Sequence, residues 1–129
     1  MTFNITAGEC LNAILSEKYP ERHFVPFNEA MIKGSYTEPL FSEEFLRQRA
    51  SVHGVSVESY TQKLTPFLEV LRNVPDAAQV TLWFGDEPFC RANVQTVTEA
   101  LRAFGCTCPI ILHTVDEYSG TILHTQERP

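Results

Sequence analysis

The order of hydrophobic segments predicts an α/β fold, a single Rossmann-like three-layer domain in which helices cover both faces of a largely parallel sheet of about four or five strands. Two observations support this prediction. Short apolar runs, typical of buried strands, alternate along the chain with longer runs that have helical periodicity. The chain has 129 residues, a length that fits one domain, and no internal repeat or linker divides it. We therefore expect one domain over residues 1–129.

The first third of the chain predicts two strands with a helix between them. Residues 3–6 predict a short first strand, and the helix that Gly8 opens should end at Pro20, because proline cannot continue it. Residues 23–27 alternate between polar and apolar side chains, which indicates a second strand. A long connection over residues 28–41 follows, and connections of this length are commonly functional or mobile. Whether this connection closes over a ligand stays open.

The middle of the chain predicts two consecutive helices. Ser42 and Ser56 each precede a helical pattern, in the position where a serine side chain caps free backbone amides. Gly54 should end the first of these helices. The second carries a continuous apolar stripe despite Pro66, which we expect to kink the helix or to restart it with Thr65 as the cap.

The last third predicts a buried strand, a helix and another buried strand. Residues 80–84 are apolar on both faces, as in a central strand that is covered on both sides. A helical stripe that includes Cys90 then runs to Gly105, and residues 109–115 form the next apolar run. For residues 117–129 the sequence predicts an edge strand or a loose tail.

Composition argues against several classes of protein. The net charge of −6 opposes binding to nucleic acid, which requires clustered lysines and arginines. No apolar run is long enough to cross a bilayer, and the N-terminus lacks the basic start and apolar run of a secretory signal. We therefore expect a cytoplasmic protein with reduced cysteines. Cys106 and Cys108 form a C-x-C pair, not the C-x-x-C of zinc and redox sites, so we expect no metal site there.

Four segments together resemble a known family. They are Leu82-Trp83-Phe84 followed by Phe89-Cys90 and Asn93, the pair Gly8-Glu9, residues 27–34, and the pair Arg49-Ala50. They resemble the signature of the bacterial DUF1835 family of domains of unknown function, over roughly residues 3–113. Glu87 and Pro88 depart from the family pattern, and the resemblance implies that many relatives carry a further C-terminal domain beyond the matched region. The resemblance implies an α/β architecture and no particular activity.

Polar residues follow each of the first three predicted strands. Because the carboxyl ends of parallel strands meet at one edge of a sheet, we expect four carboxylates, from Glu9, Glu29, Asp86 and Glu87, to share one crevice. Such a crevice would bind a small polar ligand, either nucleotide-like or held through a metal ion. The candidate ligand-binding residues are Gly8, Glu9, Asn28, Glu29, Arg49, Asp86, Glu87 and Asn93.

Several of these residues also have a purely structural interpretation. Asp86 precedes a proline in the position of a helix cap, and Glu9 complements the dipole of its own helix. Asn93 either reaches a ligand or bonds the neighbouring loop. Arg49 should pair with a carboxylate across the crevice, as a structural contact or as an anion clamp.

Three classes of function stay open. The leading hypothesis is a ligand-binding domain whose cofactor is unknown. The chain has neither a G-x-G-x-x-G nor a Walker-type loop, which argues against a dinucleotide or a nucleoside triphosphate bound in the usual way. The second is an enzyme that acts on a nucleotide-like substrate through paired carboxylates or a thiol. Its candidate catalytic residues are Glu87 and Cys90, although the apolar stripe around Cys90 favours a buried, inert thiol. The third is an interaction or regulatory module, with self-association or a partner domain on another chain.

Overall fold

The computed structural model describes all 129 residues and shows a mixed α/β fold with one five-stranded sheet. Its elements are β1 (Thr2–Thr6), α1 (Glu9–Lys18), β2 (Phe24–Pro26), α2 (Glu43–His53), α3 (Val57–Asn73), a 3-10 turn (Val74–Asp76), β3 (Gln79–Phe84), α4 (Pro88–Ala103), β4 (Ile110–Val115) and β5 (Ile122–Arg128). The predicted α/β class is thus confirmed. None of the helices has the length and apolar character needed to span a membrane.

The sheet has the strand order β2-β1-β3-β4-β5. Strands β1 to β4 are mutually parallel, and β5 pairs antiparallel with β4. The prediction of a largely parallel sheet is therefore confirmed. From β1 the chain first moves outward to β2 and then returns to β3 on the other side of β1. The order of the strands reverses between β1 and β3, and open α/β sheets bind ligands near such reversals.

Both sides of the central strand β3 are buried. Leu82 and Phe84 lie in a large apolar cluster with side chains from α2, α3 and α4. Trp83 lies in a smaller cluster with Leu11 and Leu15 of α1. Successive strand residues point to opposite faces of a sheet, so the two clusters meet β3 from opposite sides. This double burial explains why residues 80–84 are apolar without alternation.

The capping signals locate α2 and α3 correctly. The side-chain oxygen of Ser42 accepts a hydrogen bond from the backbone N–H of Phe45, over 3.3 Å. Ser56 accepts one from the backbone N–H of Ser59, over 3.1 Å. Gly54 ends α2 in the left-handed conformation, as glycine does at many helix ends.

The prediction that Pro66 restarts a helix is wrong. Helix α3 runs without a break through Pro66, and the hydroxyl of Thr65 donates to the carbonyl of Thr61 instead of capping a new helix. The buried residues Leu64 and Phe67 lie on either side of the proline, so one apolar face holds both halves of the helix against the core. That packing offsets the backbone hydrogen bond that the proline cannot donate.

The chain end forms a strand, which decides between the two predicted alternatives. Strand β5 continues to Arg128, which pairs with Ile110 of β4. The guanidinium of Arg102 on α4 also donates to the carbonyl of Pro129 over 3.2 Å. No burial pattern marks this strand in the sequence, because its residues pair through the backbone and leave their side chains largely exposed.

Gly34 lies in the connection between β2 and α2 at a point of close contact. Its φ is +72°, and a Cβ added there would lie 2.7 Å from Cγ1 of Val52 on α2. Valine in a helix has few alternative rotamers, so its methyl groups cannot move away easily. The connection thus requires glycine at position 34 for two reasons, backbone conformation and space.

Replacing Gly34 with alanine should therefore destabilise the protein more than the same change at Gly54. Gly54 has a similar φ of +67°, but no atom lies within 4 Å of an added Cβ. Gly54→Ala should cost about 1–2 kcal/mol from backbone strain alone, whereas Gly34→Ala should cost about 1 kcal/mol or more beyond that because of the clash. Urea denaturation measures both values, and equal losses would contradict the close contact with Val52.

Candidate functional site

Glu29 lies at the centre of a buried hydrogen-bond network. Its carboxylate accepts hydrogen bonds from Nε and Nη2 of Arg49, each over 2.9 Å. It also accepts from the backbone N–H of Ala30 over 2.7 Å and from the hydroxyl of Tyr60. The side chains of Glu29 and Arg49 are both fully buried. The two parallel bonds give this ion pair a fixed geometry, which a single-point contact would not.

The network keeps Glu29 and Arg49 charged despite their burial. Burial alone raises the pKa of Glu29, but the hydrogen bonds from Arg49, Tyr60, Ala30 and His53 outweigh it and lower the pKa to about 2. Burial likewise lowers the pKa of Arg49, and the contact with Glu29 raises it above its ordinary value. Burial and then the bond to Glu29 raise the pKa of Tyr60, which therefore stays neutral and donates.

Arg49 directs its remaining N–H groups to the connection before α2. Nη1 donates to the carbonyls of Lys33 and Ser35, each over 2.8 Å, and Nη2 donates to the carbonyl of Ala30 over 3.0 Å. Of the two predicted roles for Arg49, these contacts show the structural pair with a carboxylate. These bonds also fasten residues 30–35 to α2.

Asn93 holds the same connection from the other side. Its side-chain oxygen accepts from the backbone N–H of Met31 over 2.8 Å, and its side-chain nitrogen donates to the carbonyl of Glu29 over 2.7 Å. The residue is buried on α4. Of the two roles predicted for Asn93, the geometry shows the bond to the neighbouring loop.

The expectation that four carboxylates share one crevice is wrong. Glu29 is enclosed in the ion pair, whereas Asp86 is exposed and lies 3.9 Å from Nη1 of Arg91. Glu9 and Glu87 border one groove together, but Glu9 and Glu29 border another. The strand order explains the separation, because β1 lies between β2 and β3 and sets the loops after them about 10 Å apart.

The expectation that Asp86 caps α4 is also wrong. The residue at the N-cap position is Glu87, and its side chain makes no capping hydrogen bond. Pro88 occupies the first helical position, which places the cap one residue later than the sequence interpretation did. Gly8 holds the corresponding position of α1 and has no side chain with which to cap it.

Cys90 lacks the properties of a nucleophile. It is fully buried, and its sulfur lies 3.6 Å from a carboxylate oxygen of Glu117. Burial, and then the negative charge of Glu117, raise the pKa of the Cys90 thiol to about 12. Because the thiolate is the reactive form, this geometry gives Cys90 little reactivity near neutral pH. Glu117 lies in the turn after β4, and no sequence pattern marked it as a neighbour of Cys90.

A cleft of about 690 Å³ lies beside the carboxyl ends of β1 and β2, and we name it the strand-end cleft. Its lining residues are Ala7, Gly8, Glu9, Phe27, Asn28, Glu29, Ala30, His53, Val55, Tyr60 and Lys63. The volume falls within the range of small-ligand sites, which is about 300–1,000 Å³. Four of the predicted ligand-binding residues line this cleft, namely Gly8, Glu9, Asn28 and Glu29.

Three polar lining residues were missed by the sequence analysis: His53, Tyr60 and Lys63. His53 lies four residues after Arg49 on α2, so the two side chains share a helix face, and that spacing was the available signal. Nε2 of His53 lies 2.6 Å from Oε1 of Glu29, and its ring stacks on that of Tyr60. Tyr60 was assigned to an apolar stripe, which hid the role of its hydroxyl.

Fold and site together define a mixed α/β domain with a cleft, lined by both polar and apolar side chains, at the carboxyl ends of two of its parallel strands. No protein-family model, curated protein or solved structure matches the chain. No group of three or more histidine, cysteine, aspartate and glutamate side chains is arranged to hold a metal ion.

Substituting Glu29 with glutamine should destabilise the protein in a pH-dependent way. The pKa of Glu29 in the folded protein, about 2, lies below its ordinary value of 4.5. Ionised Glu29 therefore stabilises the folded state fully at a pH above 4.5, and this stabilisation is lost as the pH falls through about 2. Glu29→Gln should cost about 3 kcal/mol at about pH 7, because it leaves the charge of Arg49 buried without a partner. Urea denaturation should show this difference shrinking toward about pH 2, where protonated Glu29 resembles glutamine.

Glu43→Gln is the matched control. Glu43 is exposed and lies 3.9 Å from Arg47 one turn along the same helix. Removing such a surface pair should change the free energy of unfolding by less than about 0.5 kcal/mol at any pH. If Glu29→Gln behaved like this control, the buried network would not stabilise the fold.

Proposed function

We propose that the chain binds a small polar ligand, nucleotide-like in carrying hydroxyl groups and an anionic group, in the strand-end cleft. The observation that supports this proposal is the convergence of Glu9, Asn28, His53 and Lys63 on one cleft. A carboxylate and an amide are suited to hydroxyl groups, and a lysine ammonium is suited to an anion. The cleft lies at the carboxyl ends of β1 and β2, one strand away from the reversal of strand order between β1 and β3, and it shares Ala7, Gly8 and Glu9 with the groove at that reversal.

The rim of the cleft is fixed before any ligand arrives. The side-chain nitrogen of Asn28 donates to Oε1 of Glu9 over 2.8 Å and to the carbonyl of Lys63 over 3.1 Å. These two bonds connect the loop after β2 to α1 and α3. Both amide hydrogens of Asn28 are thus engaged, and its oxygen remains an acceptor for a ligand hydroxyl. A rim held in this way loses little conformational entropy when it binds.

The wider assignments are also proposals. A Rossmann-like three-layer arrangement is supported by the two apolar clusters that meet β3 from opposite sides. Kinship with the DUF1835 family is supported by the residues around the end of β3 and by residues 27–34. A cytoplasmic location, the absence of nucleic-acid binding, and an interaction role with self-association stay predictions.

Adenosine 5′-monophosphate is the probe that tests the ligand proposal, with adenosine and inorganic phosphate beside it. We expect the monophosphate to raise the melting temperature and to shift the backbone resonances of Gly8, Asn28 and Lys63. Lys63→Gln should weaken its binding about tenfold, which corresponds to about 1.4 kcal/mol, because one charge-assisted contact is lost. Adenosine should bind equally to the wild type and to this variant.

Lys33→Gln is the control for a general loss of charge, since Lys33 is exposed and does not line the cleft. This substitution should leave the affinity unchanged. Resonance shifts confined to residues outside the strand-end cleft, or equal losses in Lys63→Gln and Lys33→Gln, would refute the proposed site.

One contact favours an enzyme as the second candidate function. Nε2 of His53 bonds Oε1 of Glu29, which fixes the orientation of the ring and directs the proton to Nε2. The side chain of His53 is 23% exposed and lines the strand-end cleft, so its Nδ1 can accept a proton from a bound molecule. The enzyme hypothesis therefore rests on His53 as the base, held by Glu29. Neither Cys90 nor a pair of carboxylates has a geometry suited to that role.

Hydrolysis of p-nitrophenyl acetate tests this second candidate, with His53 removing a proton from the attacking water. His53→Gln should lower the second-order rate constant of this hydrolysis about tenfold or more. General-base catalysis in enzymes accelerates a reaction by about 100-fold to 10,000-fold, so this expectation is modest. His124→Gln removes an exposed histidine far from the cleft and should leave the rate unchanged. Equal rates in the two variants would exclude His53 as a base.

A further inference from the structure

Cys106 and Cys108 lie in the loop between α4 and β4, with their sulfur atoms 3.4 Å apart. A disulfide bond is about 2.05 Å long, so the sulfurs need to approach by only about 1.4 Å to form one. All four cysteines of the chain are free thiols in this structure. No residue of the strand-end cleft belongs to this loop.

The two thiols differ in accessibility. Cys106 is only 4% exposed, whereas Cys108 is partly exposed at the surface. Arg102 brings a positive charge to the pair, because its Nη1 lies 3.7 Å from the sulfur of Cys106 and donates to the carbonyl of Cys108 over 2.8 Å. A neighbouring guanidinium stabilises the thiolate that forms during exchange. The geometry thus provides an entry thiol, a second thiol behind it, and a charge beside both.

We propose that Cys106 and Cys108 form a dithiol site that is oxidised to a disulfide within the loop by exchange with a low-molecular-weight disulfide such as glutathione disulfide. The thiolate of Cys108 attacks one sulfur of glutathione disulfide, the bond between the two glutathione sulfurs breaks, and one glutathione leaves. The thiolate of Cys106 then attacks the sulfur of Cys108 and expels the second glutathione. Two protein thiols are oxidised, one glutathione disulfide is reduced, and the two protons pass to the two leaving thiolates.

The resting form of this site is the dithiol. Burial, and then the hydrogen bond to Cys106, raise the pKa of Cys108, so its thiolate is a minor form near neutral pH, and the first exchange step is slow there and accelerates as the pH rises. A disulfide between residues two apart closes a small ring, and strained disulfides have oxidising potentials. The site is therefore oxidised when the ratio of glutathione disulfide to glutathione rises, and it returns to the dithiol when that ratio falls.

Oxidation has a structural readout through Arg102. The same guanidinium that holds the carbonyls of Cys106 and Cys108 also donates to the carbonyl of Pro129 at the chain end. Closing the ring changes the loop torsions and moves the two cysteine carbonyls, so the anchor of β5 is altered. We expect faster amide hydrogen exchange in β5 after oxidation, while the strands β1 to β3 keep their protection.

Mass spectrometry after incubation of the native protein with glutathione disulfide tests the proposal. The wild type should lose two hydrogens in the peptide that contains Cys106 and Cys108. Cys106→Ser removes the second thiol, so it should retain one glutathione on Cys108. Cys108→Ser removes the entry thiol and should leave Cys106 unmodified. Cys10→Ser should form the 106–108 disulfide as the wild type does.

Exposed Cys10 serves as an internal measure of the oxidant, because it should accept glutathione under the same conditions. The proposal is overturned if Cys10 is fully modified while Cys106 and Cys108 stay reduced. It is also overturned if the 106–108 disulfide forms only in urea, or if Cys106→Ser retains no glutathione while its melting curve shows a folded protein.

Discussion

The buried ion pair between Glu29 and Arg49 is the interaction on which the geometry of the strand-end cleft depends. It joins the loop after β2 to α2, and it gains a third element through the hydroxyl of Tyr60 on α3. Asn93 adds α4 by bonding the carbonyl of Glu29. Four parts of the chain thus meet at one residue, three of them at its carboxylate and α4 at its backbone carbonyl. The wall of the cleft takes its position from this contact, because Glu29 also orients His53.

Stability alone does not explain why such a pair is retained. Removing two charges from water costs several kcal/mol, and well-packed apolar residues can stabilise a core equally well. Apolar side chains, however, could not satisfy the carbonyls of Ala30, Lys33 and Ser35, which all accept from Arg49. Carbonyl oxygens that contact a buried side chain are shielded from water on that side and need donors from the protein, and an irregular connection provides few of its own. The guanidinium of Arg49 therefore supplies the donors that a helix or a sheet would otherwise provide to residues 30–35, and it holds the connection in one conformation.

Sequence patterns predicted the parts of this fold that local chemistry determines. The apolar run at residues 80–84 marked the central strand because Leu82 and Trp83 are buried on opposite sides. Ser42 and Ser56 marked helix starts because a cap needs only the next three residues. Patterns located the carboxylates after strands but not their partners. Glu29 and Arg49 are separated by 20 positions, and no local rule states whether an acid after a strand faces water or an arginine. The β2-β1-β3 order, which separates Glu29 from Glu87, is likewise a property of the whole sheet.

Helix α4 lies between the loop of Cys106 and Cys108 and the edge of the sheet that carries the strand-end cleft. Its first turn lies at the carboxyl edge of the sheet, where β3 ends, and its last turn leads into the dithiol loop at the opposite edge, where β4 begins. A helix of 16 residues is about 24 Å long, so a change in the dithiol loop does not contact the cleft directly. Asn93, in the second turn of α4, bonds the loop that carries Glu29.

Any effect of oxidation on the cleft would have to move α4 as a rigid body and pull on Asn93. The contacts that resist such a movement are the buried side chains Val94, Val97 and Leu101, which fasten α4 to the core along its length. Packing of this kind opposes any movement that would couple the loop of Cys106 and Cys108 to the strand-end cleft.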